Sequence, residues 1–355
     1  MVEWKKLGDV CKVLRGKRLT KSQLNESEGY PVLHGGSTPM GYYEEFNRKA
    51  NTTVVVNTGN AGSVFFYDKE FWSSDACFSL YPNKEINDKF LYLYVYGCER
   101  ILKGKIRAGA MPTIDAKAVE DLLIPIPSLS EQQRIVSILD TFTSSISNLK
   151  QQIEERRKQY EYERDLLLDL EGKEGVEMKK LGDFAEIGTG SSNTQDELES
   201  GRYPFFVRSQ IVKWKDDYEF DEIAIITSGD GVGVGKVLHY YEGKYALHQR
   251  AYRIHVENDS IVPKFIFYFM QKDFYWYIMS NAYAASVTSV RRPMLINYPI
   301  PIPPLSTQSR IVSILDTFEQ SISNLEEQLA MREKQYEYYR NQLLTFEGEE
   351  ERGKT

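Results

Sequence analysis

Residues 124–172 and 300–348 of this 355-residue chain are two copies of one segment. The first reads IPIPSLSEQQRIVSILDTFTSSISNLKQQIEERRKQYEYERDLLLDLEG and the second IPIPPLSTQSRIVSILDTFEQSISNLEEQLAMREKQYEYYRNQLLTFEG; at a constant offset of 176, without a gap, 33 of the 49 positions are identical. The start repeats too, VEWKKLGDV at 2–10 against VEMKKLGDF at 176–184. The chain is therefore a tandem duplication of a variable domain followed by a helix. A period this long excludes a short-repeat solenoid and implies one frame that carries two different domains.

The repeats carry an apolar seam. Ile135, Leu139, Phe142, Ile146, Leu149, Ile153, Tyr160, Leu167 and Leu170 return as Ile311, Leu315, Phe318, Ile322, Leu325, Leu329, Tyr336, Leu343 and Phe346. Steps of four and three are the heptad spacing of helices that pack side by side. Only Arg156 and Glu163, with Arg332 and Tyr339, interrupt it. Pro127 and Pro303 stop the helices upstream, Ser130 and Ser306 stand as N-caps, Gln133 could complete a capping box, and Gly172 and Gly348 end the runs. Each helix then reaches about 41 residues, roughly 60 Å. Only a few residues separate Gly172 from the second KKLGD, so the second domain sits at the C-terminal end of the first helix. Helices paired along their seams must then run antiparallel, which predicts a pseudo-twofold, nearly circular arrangement. An intermolecular coiled coil is the alternative, and Leu166 and Leu168 fall on outer faces that could dock other helices.

Composition narrows the class. With 41% apolar and 13% aromatic residues there is material for two globular cores. Cys11, Cys77 and Cys98 form no C-x-x-C pair and the four histidines have no ligand spacing, which reads as a reduced, metal-free cytoplasmic protein. Lys272 and Asp273 interrupt the most apolar run, 265–279, so it is not a membrane span. The net charge of -7 is unevenly placed: residues 306–348 carry seven acids and four bases, residues 236–300 eight Lys/Arg and four acids. The acid lies in the repeats, and basic segments lie in the variable domains.

The plan of variable domain, IPIP-x-L-S-x-Q-x-R-I-V-S-I-L start at Ile124–Leu139, long helix, second variable domain and the same start at Ile300–Leu315 resembles the specificity subunit of Type I restriction-modification enzymes over essentially the whole chain. One departure is Thr307, where Glu131 gives the usual L-S-E-Q. The resemblance implies target recognition domains at 1–123 and 173–299, conserved helical repeats at 124–172 and 300–348, and a disordered acidic tail at 349–355. It implies an α+β fold of two mixed domains joined by two long antiparallel coiled-coil helices. It also implies double-stranded DNA and two modification subunits as partners, and optionally two restriction subunits. S-adenosylmethionine, and ATP with Mg²⁺, would belong to those partners, with no cofactor in this chain.

Within the variable domains, short β-branched or aromatic runs bounded by glycine and Asn/Asp read as strands and tight turns, while 90–102 and 265–279 read as helices. Gly235-Lys236 in GDGVGVGKV (229–237) resembles the end of a phosphate loop, but Asp230 and Val237 break the motif and β-like VLHYY follows it. A hairpin turn and a DNA-facing turn are the remaining readings. Candidate DNA contacts in the first domain are His34, Ser37, Thr38, Asn57 and Asn60 from loops, with Arg100, Lys103, Lys105 and Arg107. In the second they are Arg208, Ser209 and Gln210 after the Tyr203-Pro204 strand, then Lys213, Asp230, Lys236, His248, Gln249, Arg250, Arg291 and Arg292. Arg and Gln can pair with guanine and adenine edges, and lysines suit phosphates. A solvated surface role, or for His248 a structural one, competes at each position.

Catalytic motifs are absent. NYPI at 297–300 only faintly echoes the segment with which amino-methyltransferases hold an amine, and no H-E-x-x-H, G-x-S-x-G or Walker sequence occurs. The chain is expected to choose a bipartite, asymmetric site while other chains do the chemistry. Two rivals differ in what they predict. A coiled-coil scaffold that binds only protein would leave no DNA footprint, and a degenerate methyltransferase or nuclease would be active alone.

Overall fold

The computed structural model describes residues 2–36, 38–107, 109, 111–231, 233–281 and 289–346, so Ser37, Gly348 and the tail at 349–355 lie outside the described residues. Two compact units divide the chain, Met1–Leu149 with Gln328–Thr355, and Lys150–Glu327. Each holds one variable domain and parts of both repeat helices, which span Leu129–Leu167 and Leu305–Leu344. No helix among the described residues is long and apolar enough to cross a membrane.

In the first unit the strand Glu3–Lys6 pairs antiparallel with Leu123–Ile126, Lys5 opposite Ile124. In the second, Glu177–Lys180 pairs with Pro299–Ile302, Lys179 opposite Ile300. The IPIP segments thus close the variable domains as two-stranded ribbons and do not yet begin the helices. The alternating prolines suit a ribbon with a free edge, where their missing N–H groups need no partner.

The second unit contains a six-stranded sheet in the order Ala185–Thr189, Ala251–Val256, Phe220–Ser228, Leu238–Leu247, Tyr203–Phe206, Lys213–Lys215. The first unit splits the same plan in two. Cys11–Arg15, Cys77–Pro82, Thr52–Val56 and Val64–Tyr67 form one sheet; Tyr42–Tyr43, Tyr30–Leu33 and Trp72–Ser73 form the other. Leu238–Leu247 runs without a break, whereas the residues between Tyr67 and Trp72 interrupt its counterpart. The expected helices are present as Asp88–Gly97, Glu99–Gly104 and Pro263–Asn281.

The helix pair is intramolecular and antiparallel within each unit. Phe142 stacks on Tyr339 in the first, with ring centroids 5.2 Å apart. In the second, Tyr160 meets Phe318 at 6.4 Å and Arg157 pairs with Glu326 at 2.5 Å. The seam changes character along its length. Ile135 and Leu139 are fully buried in the first domain's core against Phe90 and Leu91, joined by Leu344 from the second repeat. Ile311 and Leu315 enter the other core with Phe265 and Ile266, joined by Leu168 and Leu170. Phe142, Ile146, Leu149, Phe318, Ile322, Leu325 and Leu329 are only half-buried, while Ile153 is buried. Leu168 is therefore a core residue and not an outer docking position; Leu166 is exposed.

The helix starts also differ from expectation. Ser128, two residues ahead of Ser130, caps the first helix: its Oγ accepts from the Glu131 N–H at 3.3 Å. Pro304 takes that place in the second copy, so Ser306 lies inside the first turn, and Gln133 makes no capping box. The anchor is the next glutamine. Gln132, fully buried, donates to the carbonyls of Glu85 and Pro127 and accepts from the Asn87 N–H. Gln308 repeats this with Ser260, Pro303 and Val262. Glu131 forms only an exposed pair with Arg134, which explains why Thr307 can replace it.

Candidate nucleic-acid interface

Both variable domains gather three loops by the same backbone ties. In the first, the Ile114 N–H donates to the Asn57 carbonyl at 2.9 Å and Thr58 bridges Thr113. In the second, the Val290 N–H donates to the Gly229 carbonyl at 2.9 Å and Asp230 bridges Ser289. A third loop joins each pair. Gly35 has a φ of +67°, and a Cβ there would lie 2.7 Å from the Thr58 carbonyl oxygen; a Cβ on Gly233 would lie 2.8 Å from that of Arg208. A shared frame thus presents different side chains.

The first domain's surface is mostly neutral at its centre. His34 is exposed and bonds the Ser74 hydroxyl through Nδ1 at 2.8 Å. Thr38 and Asn60 are exposed. Asn57 is buried: its amide donates to the Asp75 carbonyl and its Oδ1 accepts from the Thr58 hydroxyl, so it braces the turn from inside instead of facing a ligand. Of the basic candidates, Lys103 pairs with Glu99 at 2.6 Å and Arg107 pairs with Asp115, whereas Arg100 and Lys105 are exposed. Ser37 lies outside the described residues.

The second domain concentrates charge at the equivalent place. The strands on either side of the glycine segment are antiparallel, with Thr227 opposite Leu238, so its described residues, 229–231 and 233–237, belong to a hairpin turn. Gly231 at φ +85° and Gly235 at φ +71° supply the left-handed turns such a connection needs. No helix follows to hold a phosphate. From this hairpin Asp230 meets Arg208 Nη1 at 2.7 Å and Arg250 Nη1 at 3.3 Å. Burial pushes the Asp230 carboxyl up, but the hydrogen bonds and charges of the two arginines outweigh it and hold the group below its usual value. Lys236 is exposed, with Nζ 5.2 Å over the Tyr275 ring. Gln210 donates to the Leu238 carbonyl at 3.4 Å, Ser209 to that of Ile211 at 2.9 Å, and Gln249 to Asn193 Oδ1.

His248 sits beneath this cluster, buried, 6.4 Å from the Phe205 ring, with Nδ1 accepting from the Arg250 N–H at 3.0 Å. Burial first, then the Arg208 and Arg250 charges, lower its pKa and keep it neutral as that acceptor requires. In the folded chain it braces the Arg250 backbone from below. Lys213 stands apart on its strand, paired with Glu197 at 3.3 Å, and Arg291 and Arg292 are exposed beside the Ser289 bridge.

Sequence reasoning missed the buried supports. Arg253 is 7% exposed, bonded to both Glu222 oxygens at 3.0 Å and stacked 4.7 Å over the Phe220 ring. Arg48, donating to Ser79 Oγ at 2.9 Å, ties the first domain's corresponding strands. For Arg253 the only signal was a cation inside the strand pattern AYRIHV at 251–256, and Arg48, which lies between strands, gave none. Among the described residues there is no group of three or more His, Cys, Asp or Glu placed to hold a metal.

Two related domains with divergent loop surfaces on one duplicated helical frame define a protein of paired recognition modules. The family model for the type I restriction modification DNA specificity domain matches twice, over residues 1–156 and 173–331, and the chain belongs to that family. It is accordingly a specificity component and not a catalytic one. Relatives include a Haemophilus influenzae protein named as a type I restriction enzyme specificity subunit, 28% identical over 97% of this chain and 96% of its own length. The EcoR124I/EcoR124II specificity subunit of Escherichia coli is 27% identical over 97% and 94%. The crystal structure of the type I S subunit from M. genitalium has the same fold, with a TM-score of 0.72 at 17% identity covering 97% of both chains. A chain from a study of complex assembly and conformational transition in a type I system aligns with a TM-score of 0.58 at 18% identity over 97% and 96%.

Proposed function

We propose that this chain recognises a bipartite, asymmetric double-stranded DNA target and directs adenine methylation, and restriction where a restriction subunit is present, by partner subunits. The observation that carries the reading is the repeated loop frame with unlike side chains: Thr58 and His34 on one surface, Asp230, Arg208 and Arg250 on the other. One frame with two surfaces suits two different half-sites, and the helices between them fix a non-specific gap. Two modification subunits would supply S-adenosylmethionine and the pocket for a flipped adenine, and restriction subunits would supply ATP with Mg²⁺. The chemistry then resides in the partners, in the cytoplasm with the DNA.

The test is co-expression with a modification subunit in a host lacking adenine methylation, followed by genome-wide mapping. An interrupted asymmetric motif is expected. Mass measurement of the complex should give two modification subunits per chain, since both repeats present equivalent helices. No chain-dependent methylation and no DNA footprint would leave a protein-binding scaffold as the better account.

A further inference from the structure

Asp230 stands between two arginines brought from two other loops, with Oδ1 accepting from Arg208 and Oδ2 from Arg250. Each guanidinium gives one nitrogen to this carboxylate, and no other hydrogen bond of either guanidinium occurs among the described residues. The Arg208 and Arg250 side chains are 38% and 61% exposed. We infer that the Arg208–Asp230–Arg250 set reads guanine in the half-site of the second domain, with Asp230 as the positioning residue; this rests on the reading of the chain as a DNA-recognition subunit.

Three considerations select guanine. A phosphate is disfavoured, because the carboxylate lies within 3.3 Å of both cations and would repel an anion placed between them. A base edge is uncharged and meets no such repulsion. Arginine has donors and no acceptor, so it cannot satisfy the amino groups of adenine or cytosine, whereas guanine offers two acceptors, O6 and N7, matched to its planar fork. Asp230 could itself take a cytosine amine, but its side chain is 26% exposed, less than the 38% and 61% of the two arginines that flank it, so the guanidinium groups are the more accessible contacts. Held this way, the long side chains have less rotamer freedom left to lose on binding. The support is rigid: the Gly229 N–H donates to the Arg250 carbonyl at 2.9 Å, and His248 holds the Arg250 N–H. The equivalent place in the first domain has Thr58 in the position of Asp230, bridging Thr113 as Asp230 bridges Ser289. The guanine preference therefore belongs to one half-site, and the other is an internal control.

The experiment uses the full chain co-expressed at limiting level with the modification subunit, as wild type, Arg250→Ala, Asp230→Asn and Asp230→Glu, with methylated adenines mapped genome-wide. The wild-type half-site of the second domain should contain a G·C pair. Arg250→Ala and Asp230→Asn should reduce discrimination at that pair by about fivefold or more, the smaller end of what one bidentate contact supplies. The other half-site should be unchanged, and Asp230→Glu should recover part of the loss. A second half-site without G·C, unaltered discrimination in both variants, or a uniform fall in methylation with no relaxation at one base pair would overturn the inference and leave the DNA-recognition reading intact. Absence of any methylation dependent on the chain would overturn both.

Discussion

Arg156 lies over the ring of Phe318, its guanidinium carbon 5.9 Å from the ring centroid, and the duplicate of this contact sets Arg332 over Phe142 at 5.7 Å. The two arginine interruptions of the heptad are thus cation–π partners of the seam phenylalanines, a contact worth about 0.5–1 kcal/mol at a half-exposed site. In a chain ending at Gly172, the first repeat helix would find its substitute in a second copy, and Arg156 would lie over the copy's Phe142 as Arg332 does here. No clash of Arg156 with its own copy arises. Such a truncation should form a twofold dimer and, with modification subunits, methylate an interrupted palindrome built from the first half-site. Mass determination and methylation mapping check this; an unchanged asymmetric target would defeat it.

Gln308→Ala should lower stability by roughly 2 kcal/mol or more, because it leaves the half-buried Val262 N–H and the Ser260 and Pro303 carbonyls without their partner. Gln132→Ala should do the same in the first unit. Thr307→Glu, which restores the exposed residue of the first copy, should change stability by less than about 0.5 kcal/mol. Urea unfolding midpoints separate these cases. Equal midpoints for wild type and Gln308→Ala would show that the glutamine is not the anchor.

His248 gives the second domain a pH dependence. Its folded pKa lies below the ordinary value of 6.5, so above 6.5 neither folded nor unfolded chain binds the proton and the full stability is present. As the pH falls below 6.5 the unfolded chain takes up the proton first. Stability is then lost until the pH passes the depressed folded value, where charging the ring also removes the acceptor for Arg250. An NMR titration of the ring, compared with unfolding midpoints on both sides of 6.5, should show a larger loss in wild type than in His248→Asn, where His239, also held below its ordinary value by burial, still contributes. Stability that rises as the pH falls through that window would contradict the assignment.

The duplication, the antiparallel pair and the α+β domains were legible because each is written in a period or a repeat. The ends of the seam were not, since Ile135, Leu139, Ile311 and Leu315 obey the heptad while packing into domain cores that periodicity does not describe. Gln132 and Gln308 escaped notice because a glutamine in the first turn of a helix reads as solvated; only the loops at Glu85–Asn87 and Ser260–Val262 give it buried partners. Asp230, Arg208 and Arg250 could each be named singly. Their meeting depends on a hairpin that folds Asp230 back onto two distant loops, which composition cannot state.

Exchange of residues 182–298 for the corresponding segment of a relative tests whether the two domains read independently. These limits leave the ribbon strands Glu177–Lys180 and Pro299–Ile302 native, so their pairing, with Lys180 opposite Pro299, is kept on the recipient side of both junctions. The ties that a foreign domain must reproduce include the Leu181 N–H to Tyr298 carbonyl bond at 2.9 Å, the bonds of Gln308 to Ser260 and Val262, and the bonds of Tyr268 to Asp316 and Glu319 on the second repeat helix. At Ser260 and Val262 a donor need offer only a backbone carbonyl and N–H, because Gln308 bonds only main-chain groups there, whereas Tyr268 must be matched by a side chain that meets Asp316 and Glu319. The first domain keeps its own anchor, since Gln132 bonds Glu85, Asn87 and Pro127. With a modification subunit present, one half of the methylated motif should change to that of the donor while the other half is retained. Alteration of both halves, in a chimera shown to fold by its unfolding midpoint, would mean that the two surfaces are not separate readers.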